Sequence, residues 1–156
     1  ISRALVDNQI DELCSSFLGL NKKLVLISNF SSSKYGTYVL DKYKNIPNII
    51  LINGLYNKAE LDLVRWNCKA YIHTHTLCGT APSLVEMMIS KRPIISTDIP
   101  QNKFTLDGHG LFFSDFTELK ELLENKSDFS EYISPDSLLE KYNWKKIVSQ
   151  YEGCYL

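Results

Sequence analysis

The chain reads as an α/β protein with a doubly wound parallel sheet. Three features predict this: short apolar runs without polar alternation, helical patterns between them, and a length of 156 residues that suits one domain. Strands covered on both faces lose the period-2 pattern, and strand–helix repetition favours right-handed crossovers into one parallel sheet.

The elements follow in order. Residues 7–19 place Ile10, Leu13, Phe17 and Leu18 at helical spacing, with Asp7 as the expected N-cap. Leu24–Ile27, Ile49–Ile52, Ala70–Ile72, Pro93–Ile95 and Leu111–Phe113 are the five expected strands. A helix over 34–44 is interrupted by Gly36, and Asn57 caps a helix to Asn67 whose Ala59, Leu63 and Trp66 share a face. Helices over Pro82–Ser90 and Asp115–Glu124 follow, then a polar surface connection from Lys126 to Ser134. Two helices, Pro135–Tyr142 and Trp144–Tyr155, close the chain. In such a sheet, ligands bind beyond the carboxyl ends of the strands.

Composition excludes several classes. A formal net charge of −1 gives no electrostatic reason to bind nucleic acid. No apolar run approaches the roughly 18 residues of a membrane span. Cys14, Cys68, Cys78 and Cys154 form no CxxC pair, and thiols so scattered suit a reducing, cytoplasmic compartment. The start at Ile1-Ser2-Arg3 has neither signal peptide nor initiator Met, as expected of a piece of a longer protein.

The richest segment is His73-Thr-His-Thr-Leu-Cys-Gly-Thr-Ala-Pro-Ser-Leu-Val-Glu86. A small-residue turn, Gly79-Thr80-Ala81, enters a helix that begins near Pro82, a residue suited to the first helical position. Free amides at such a start favour an anion, and a diphosphate fits. Leu84, Val85, Met88 and Ile89 are the expected buried stripe. Glu86, in the first turn and off the stripe, can accept hydrogen bonds from ribose hydroxyls. Ser83 and Glu86 also match a capping box, a purely structural use of the same residues. His73, His75 and Cys78 lack a fourth ligand at recognisable spacing, so no metal site is expected. His75 is instead a neutral donor toward phosphate or a sugar hydroxyl.

With these residues in view, the chain resembles the retaining GT-B glycosyltransferases of family 4, closest to the rhamnosyltransferase-like subgroup of bacterial surface-polysaccharide synthesis. The resemblance rests on Ser2-Arg3 with Asp7-Asn8-Gln9, Lys23–Asn29, Ile50–Tyr56, Tyr71–Glu86, Arg92–Asp98 and Tyr142–Ile147, and is most specific over 71–86. It implies a Rossmann-like domain over 1–156, the C-terminal, donor-binding half of the enzyme, with closing helices at about 135–156 and the N-terminal acceptor domain absent.

By position, the resemblance assigns the donor diphosphate to Arg3, at the end of a first strand, and to Asn8, His75, Gly79, Thr80 and Ala81. It assigns the ribose to Glu86 and the base to Gly54, Leu55 and Tyr56. The general pattern has a glutamate where Cys78 stands, so no catalytic carboxylate is assigned in this domain. The implied partners are a UDP- or dTDP-sugar and a glycan or lipid-linked acceptor, with no cofactor or metal. The implied setting is O-antigen or capsule synthesis in the cytoplasm, at the inner face of the membrane. A non-catalytic nucleotide- or sugar-binding module and a nucleotide-sugar epimerase remain the alternatives.

Overall fold

The computed structural model describes residues 1–77 and 79–155; Cys78 and Leu156 lie outside the described residues. Five strands form where the apolar runs lie: β1 (Leu24–Ser28), β2 (Ile49–Asn53), β3 (Tyr71–His73), β4 (Ile94–Thr97) and β5 (Leu111–Phe113). All pairings are parallel, but the strands fall into two sheets, β1-β2 and β3-β4-β5.

The helices are α1 (Ile10–Ser16), α2 (Lys34–Tyr43), α3 (Lys58–Asn67), α4 (Pro82–Ile89), α5 (Pro100–Leu106), α6 (Phe116–Asn125), α7 (Asp136–Leu139) and α8 (Trp144–Glu152). Double winding is visible in adjacent residues of β4. Ile95 joins a core with Ile10, Leu13 and Leu119, whereas Ile94 joins a second core with Leu84, Met88 and Leu106. Successive strand residues point to opposite faces, so α1 and α6 cover one side and α4 and α5 the other. Among the described residues, no helix is long and apolar enough to cross a membrane.

Several local expectations change. Asp7 lies in a 3-10 turn, Val6–Asn8, and α1 begins after Gln9, whose left-handed backbone (φ 50°) redirects the chain. Asn57 does cap α3, accepting from the Ala59 amide at 3.0 Å. The face carrying Leu63 and Trp66 is nevertheless exposed, and the more covered side carries Leu61, Val64 and Arg65. α5 was not legible, because Pro100 reads as a turn residue and here opens a helix. The 126–134 connection is anchored, since Phe129 enters the first core. Residues 1–3 are not in a strand.

The C-terminal helices are held by side chains on unusual backbone. Lys91 follows α4 with φ 52° and pairs with Asp136; Asp107 follows α5 with φ 50° and pairs with Lys141 at 2.8 Å. Leu138 inserts into the second core, and the Tyr142 hydroxyl donates to the Thr105 carbonyl at 2.8 Å. α8 buries none of its residues.

Gly36 does not break α2, because its missing side chain makes room. A Cβ there would overlap the Phe30 carbonyl oxygen and lie 2.9 Å from the Ala4 side chain. Replacing Gly36 with Ala gains roughly 1 kcal/mol of helix propensity against about 3 kcal/mol of overlap with a backbone atom that cannot rotate away. The expected net loss of about 2 kcal/mol is read as a lower urea midpoint. An unchanged midpoint would show that Phe30 and α2 can separate freely.

Candidate functional site

Beyond the carboxyl ends of β1 and β3, the N-terminal segment meets three of the expected site residues, Arg3, Asn8 and His75. The Ser2 amide donates to the Ile27 carbonyl of β1 at 3.1 Å, and the Ser2 hydroxyl meets His75 Nε2, just beyond β3, at 3.0 Å. One short segment thus ties both sheets together at this rim.

Asn8 is buried, and its amide donates to the Arg3 carbonyl at 2.7 Å. Its own carbonyl accepts from the Thr74 hydroxyl. Asn8 therefore shapes the loop that presents Arg3, and its donor faces inward rather than toward a ligand. Arg3 is exposed.

Beyond β3, the His75 carbonyl accepts from Thr97 Oγ1 at 3.0 Å and Asn102 Nδ2 at 3.4 Å. Asn102 also donates to Thr97 Oγ1 at 2.9 Å, so β4 and α5 brace the loop from behind. Thr97 and Asn102 escaped the sequence reading; small polar residues after a strand look like surface, yet both are buried.

The His73 and His75 rings lie 4.3 Å apart. Burial, reinforced by His75, pushes the His73 imidazole down to about 3. Burial also lowers the pKa of His75. Both rings are thus neutral at pH 7. His73 Nδ1 lies 3.3 Å from the Tyr71 hydroxyl, as a packed residue would.

α4 starts at Pro82 with Ala81 as N-cap and no side chain capping it. Ser83 is consequently the second helical residue. A residue inside the helix cannot be its N-cap, which removes the capping-box reading. Glu86 lies beyond the first turn, and the buried stripe is Leu84, Met87 and Met88, with Ile89 exposed. Gly79 and Thr80 are exposed and border a shallow recess with Pro100, Gln101, Phe104 and Thr105. A Cβ on Gly79 would meet no atom within 4 Å, so the backbone there is open to approach.

Glu86 is half exposed and forms an ion pair with Arg65 of α3, which also binds Asp62 at 3.1 Å. This partner lies 21 residues away on another helix, and nothing local in the sequence announces it. Gly54, Leu55 and Tyr56 follow the carboxyl end of β2. Gly54 has φ +67°, and its amide donates to the Ser28 carbonyl at 2.9 Å. The Tyr56 ring is exposed.

This architecture matches solved structures. Sucrose-phosphate synthase from Thermosynechococcus elongatus superposes with a TM-score of 0.78 at 14% identity, over 99% of this chain and 43% of that protein. TarM superposes with a TM-score of 0.74 at 18% identity, over 97% of this chain and 33% of TarM. The chain therefore spans less than half the length of either, and at these identities the likeness is one of fold. No family model matches the chain, and no curated protein matches it. The fold is that of the C-terminal Rossmann-like half of GT-B glycosyltransferases.

The neutral histidines make stability depend on pH. His73 takes a proton near pH 6.5 when unfolded but only near pH 3 when folded. Its contribution is complete above about pH 6.5 and is lost as pH falls toward 3, because the unfolded chain then binds more protons. The expected slope reaches about 1.4 kcal/mol per pH unit between these limits. Denaturant midpoints measured from pH 7 to pH 4 should fall, and the decline should flatten in His73→Gln. An equal slope in that variant would assign the effect to other groups.

Proposed function

We propose that this chain is the donor-binding half of a glycosyltransferase and holds a nucleotide-diphosphate sugar across the carboxyl ends of its strands. What supports this reading is the contact of the Ser2–Arg3 segment with His75 beyond β3, together with an uncapped helix start at Pro82, on a fold shared with a sucrose-phosphate synthase. Fold alone does not assign function, so the site must carry the argument.

In this reading, the Arg3 guanidinium gives the diphosphate a permanent charge and several donors. The amides of Gly79, Thr80 and Ala81 and the positive end of α4 add fixed dipoles. Together they stabilise the charge that grows on the leaving diphosphate as the sugar–oxygen bond breaks, and no metal ion or cofactor is part of the scheme. Asn8 acts indirectly, by fixing the backbone that carries Arg3. His75, kept neutral by burial, donates to a phosphate or sugar hydroxyl. Glu86 accepts from the ribose, exchanging its partner Arg65 for ligand or sharing it. Gly54, Leu55 and Tyr56 receive the base, whose face the exposed Tyr56 ring can cover.

The acceptor, a glycan or lipid-linked glycan, would sit on a second domain. The sugar would pass with retained configuration in bacterial surface-polysaccharide synthesis, at the cytoplasmic face of the membrane. UDP- and dTDP-sugars of the hexose or rhamnose type are the donors to try. This chain alone should bind donor without turning it over.

Calorimetric titration with UDP, dTDP and other nucleoside diphosphates tests the reading. Glu86→Ala should weaken the best ligand about 10- to 100-fold, the loss of hydrogen bonds to a charged group. Melting should move little, since Glu86 is half exposed and Arg65 keeps Asp62 as a partner. Unchanged affinity with lowered melting would make Glu86 merely a tie between α3 and α4.

A further inference from the structure

The partner that Glu86 holds is itself anchored. Arg65, near the end of α3, has a side chain only 10% exposed, whereas that of Glu86 is 49% exposed. A guanidinium so far out of water must be paired. Its Nη1 donates to Asp62 Oδ1 at 3.1 Å, one turn back on the same helix. Asp62 also accepts from Lys58 at 2.6 Å, so its charge is already shared. Arg65 Nη2 crosses to α4 and donates to Glu86 Oε2. Charges thus alternate from Lys58 through Asp62 and Arg65 to Glu86, and the chain ends on the half-exposed carboxylate.

Only one carboxylate oxygen of Glu86 is engaged. Oε2 meets Arg65, while Oε1 accepts from no group among the described residues. An ionised carboxylate offers acceptor sites on both oxygens, so Oε1 keeps its full capacity for a hydroxyl. With Nη1 held by Asp62, the plane of the guanidinium is set, and so is the direction in which it grips Glu86. A long, flexible side chain is thereby ordered before any ligand arrives, and binding does not lose that freedom a second time. α3 also starts at Lys58, directly behind its cap Asn57 and the expected base loop 54–56. Arg65 therefore joins the carboxylate expected at the ribose to the helix that follows the base.

We propose that Arg65 is a positioning residue that sets the selectivity of the site for ribose: it grips Glu86 by Oε2 and presents Oε1 to a sugar hydroxyl. This rests on the reading of Glu86 as the ribose acceptor. Arg65 touches no ligand itself. Its effect is confined to ligands that carry ribose hydroxyls, which separates it from a tie that merely holds α3 against α4.

The test is calorimetric titration with UDP, ADP and GDP and with the 2′,3′-dideoxy form of each. For the base that binds best, the ratio of dissociation constants, dideoxy over ribo, isolates the hydroxyls. In the parent chain this ratio should be about 10 or more, and Glu86→Ala should bring it to about 1. Arg65→Met keeps an apolar stem between the helices and should lower the ratio to about 2, with the dideoxy form binding as before. Added to Glu86→Ala, Arg65→Met should change the ratio no further, because the two residues act as one unit. A purely structural Arg65 would weaken both ligands alike; a ratio that survives in folded Arg65→Met overturns the proposal. Tighter binding of the ribo form also overturns it, since Arg65 would then be a competitor for Glu86. If Arg65→Met does not fold, Asp62→Ala releases Nη1 without emptying the interface, and an undiminished ratio there overturns the proposal equally. A parent chain that binds both forms alike removes the ribose role of Glu86 and Arg65 but not the diphosphate site. Failure to bind any of the three nucleotides removes the donor-site reading as well.

Discussion

The latch between the N-terminal segment and the end of β3 holds the rim beyond the carboxyl ends of β1 and β3. Asn8 bonds Arg3, Thr74 bonds Asn8, and Ser2 reaches both Ile27 and His75. Remove it and the two sheets lose their shared boundary at the end where the strands stop. Buried polar networks of this kind are costly when broken, because each released partner is left without water. The same latch therefore sets shape and presents charge, and neither role can be altered alone.

The sheet was largely legible from sequence because its signal is strong and local. Ile49–Asn53 and Ile94–Thr97 are apolar runs that β-branched residues favour, and helical patterns separate them. What escaped is tertiary. The Leu63–Trp66 stripe of α3 has the spacing of a buried face, but burial depends on what lies opposite, and these side chains face outward. α5 was masked by a proline that could equally serve a turn or a first helical position.

The site divides along the same line. That a small-residue turn would enter α4 at Pro82 was readable, and the incompatibility of Pro82 with a Ser83 cap was visible in residue types alone. The inward-facing amide of Asn8 and the ion pair of Glu86 with Arg65 were not, since each depends on groups brought together by folding. Residue type tells what a side chain can do; only placement tells which of its bonds are already made.

The left-handed turns at Lys91 and Asp107 carry one more consequence. Helices commonly stop on glycine at such positions because it tolerates this backbone without strain. Here each position carries a charge that reaches the C-terminal segment, at Asp136 and Lys141. Local comfort has been exchanged for a distant tether made partly of exposed charge, which salt screens. Salt therefore loosens the Asp136–Lys141 segment only in part: its charged tethers weaken, while Leu138 stays in the second apolar core.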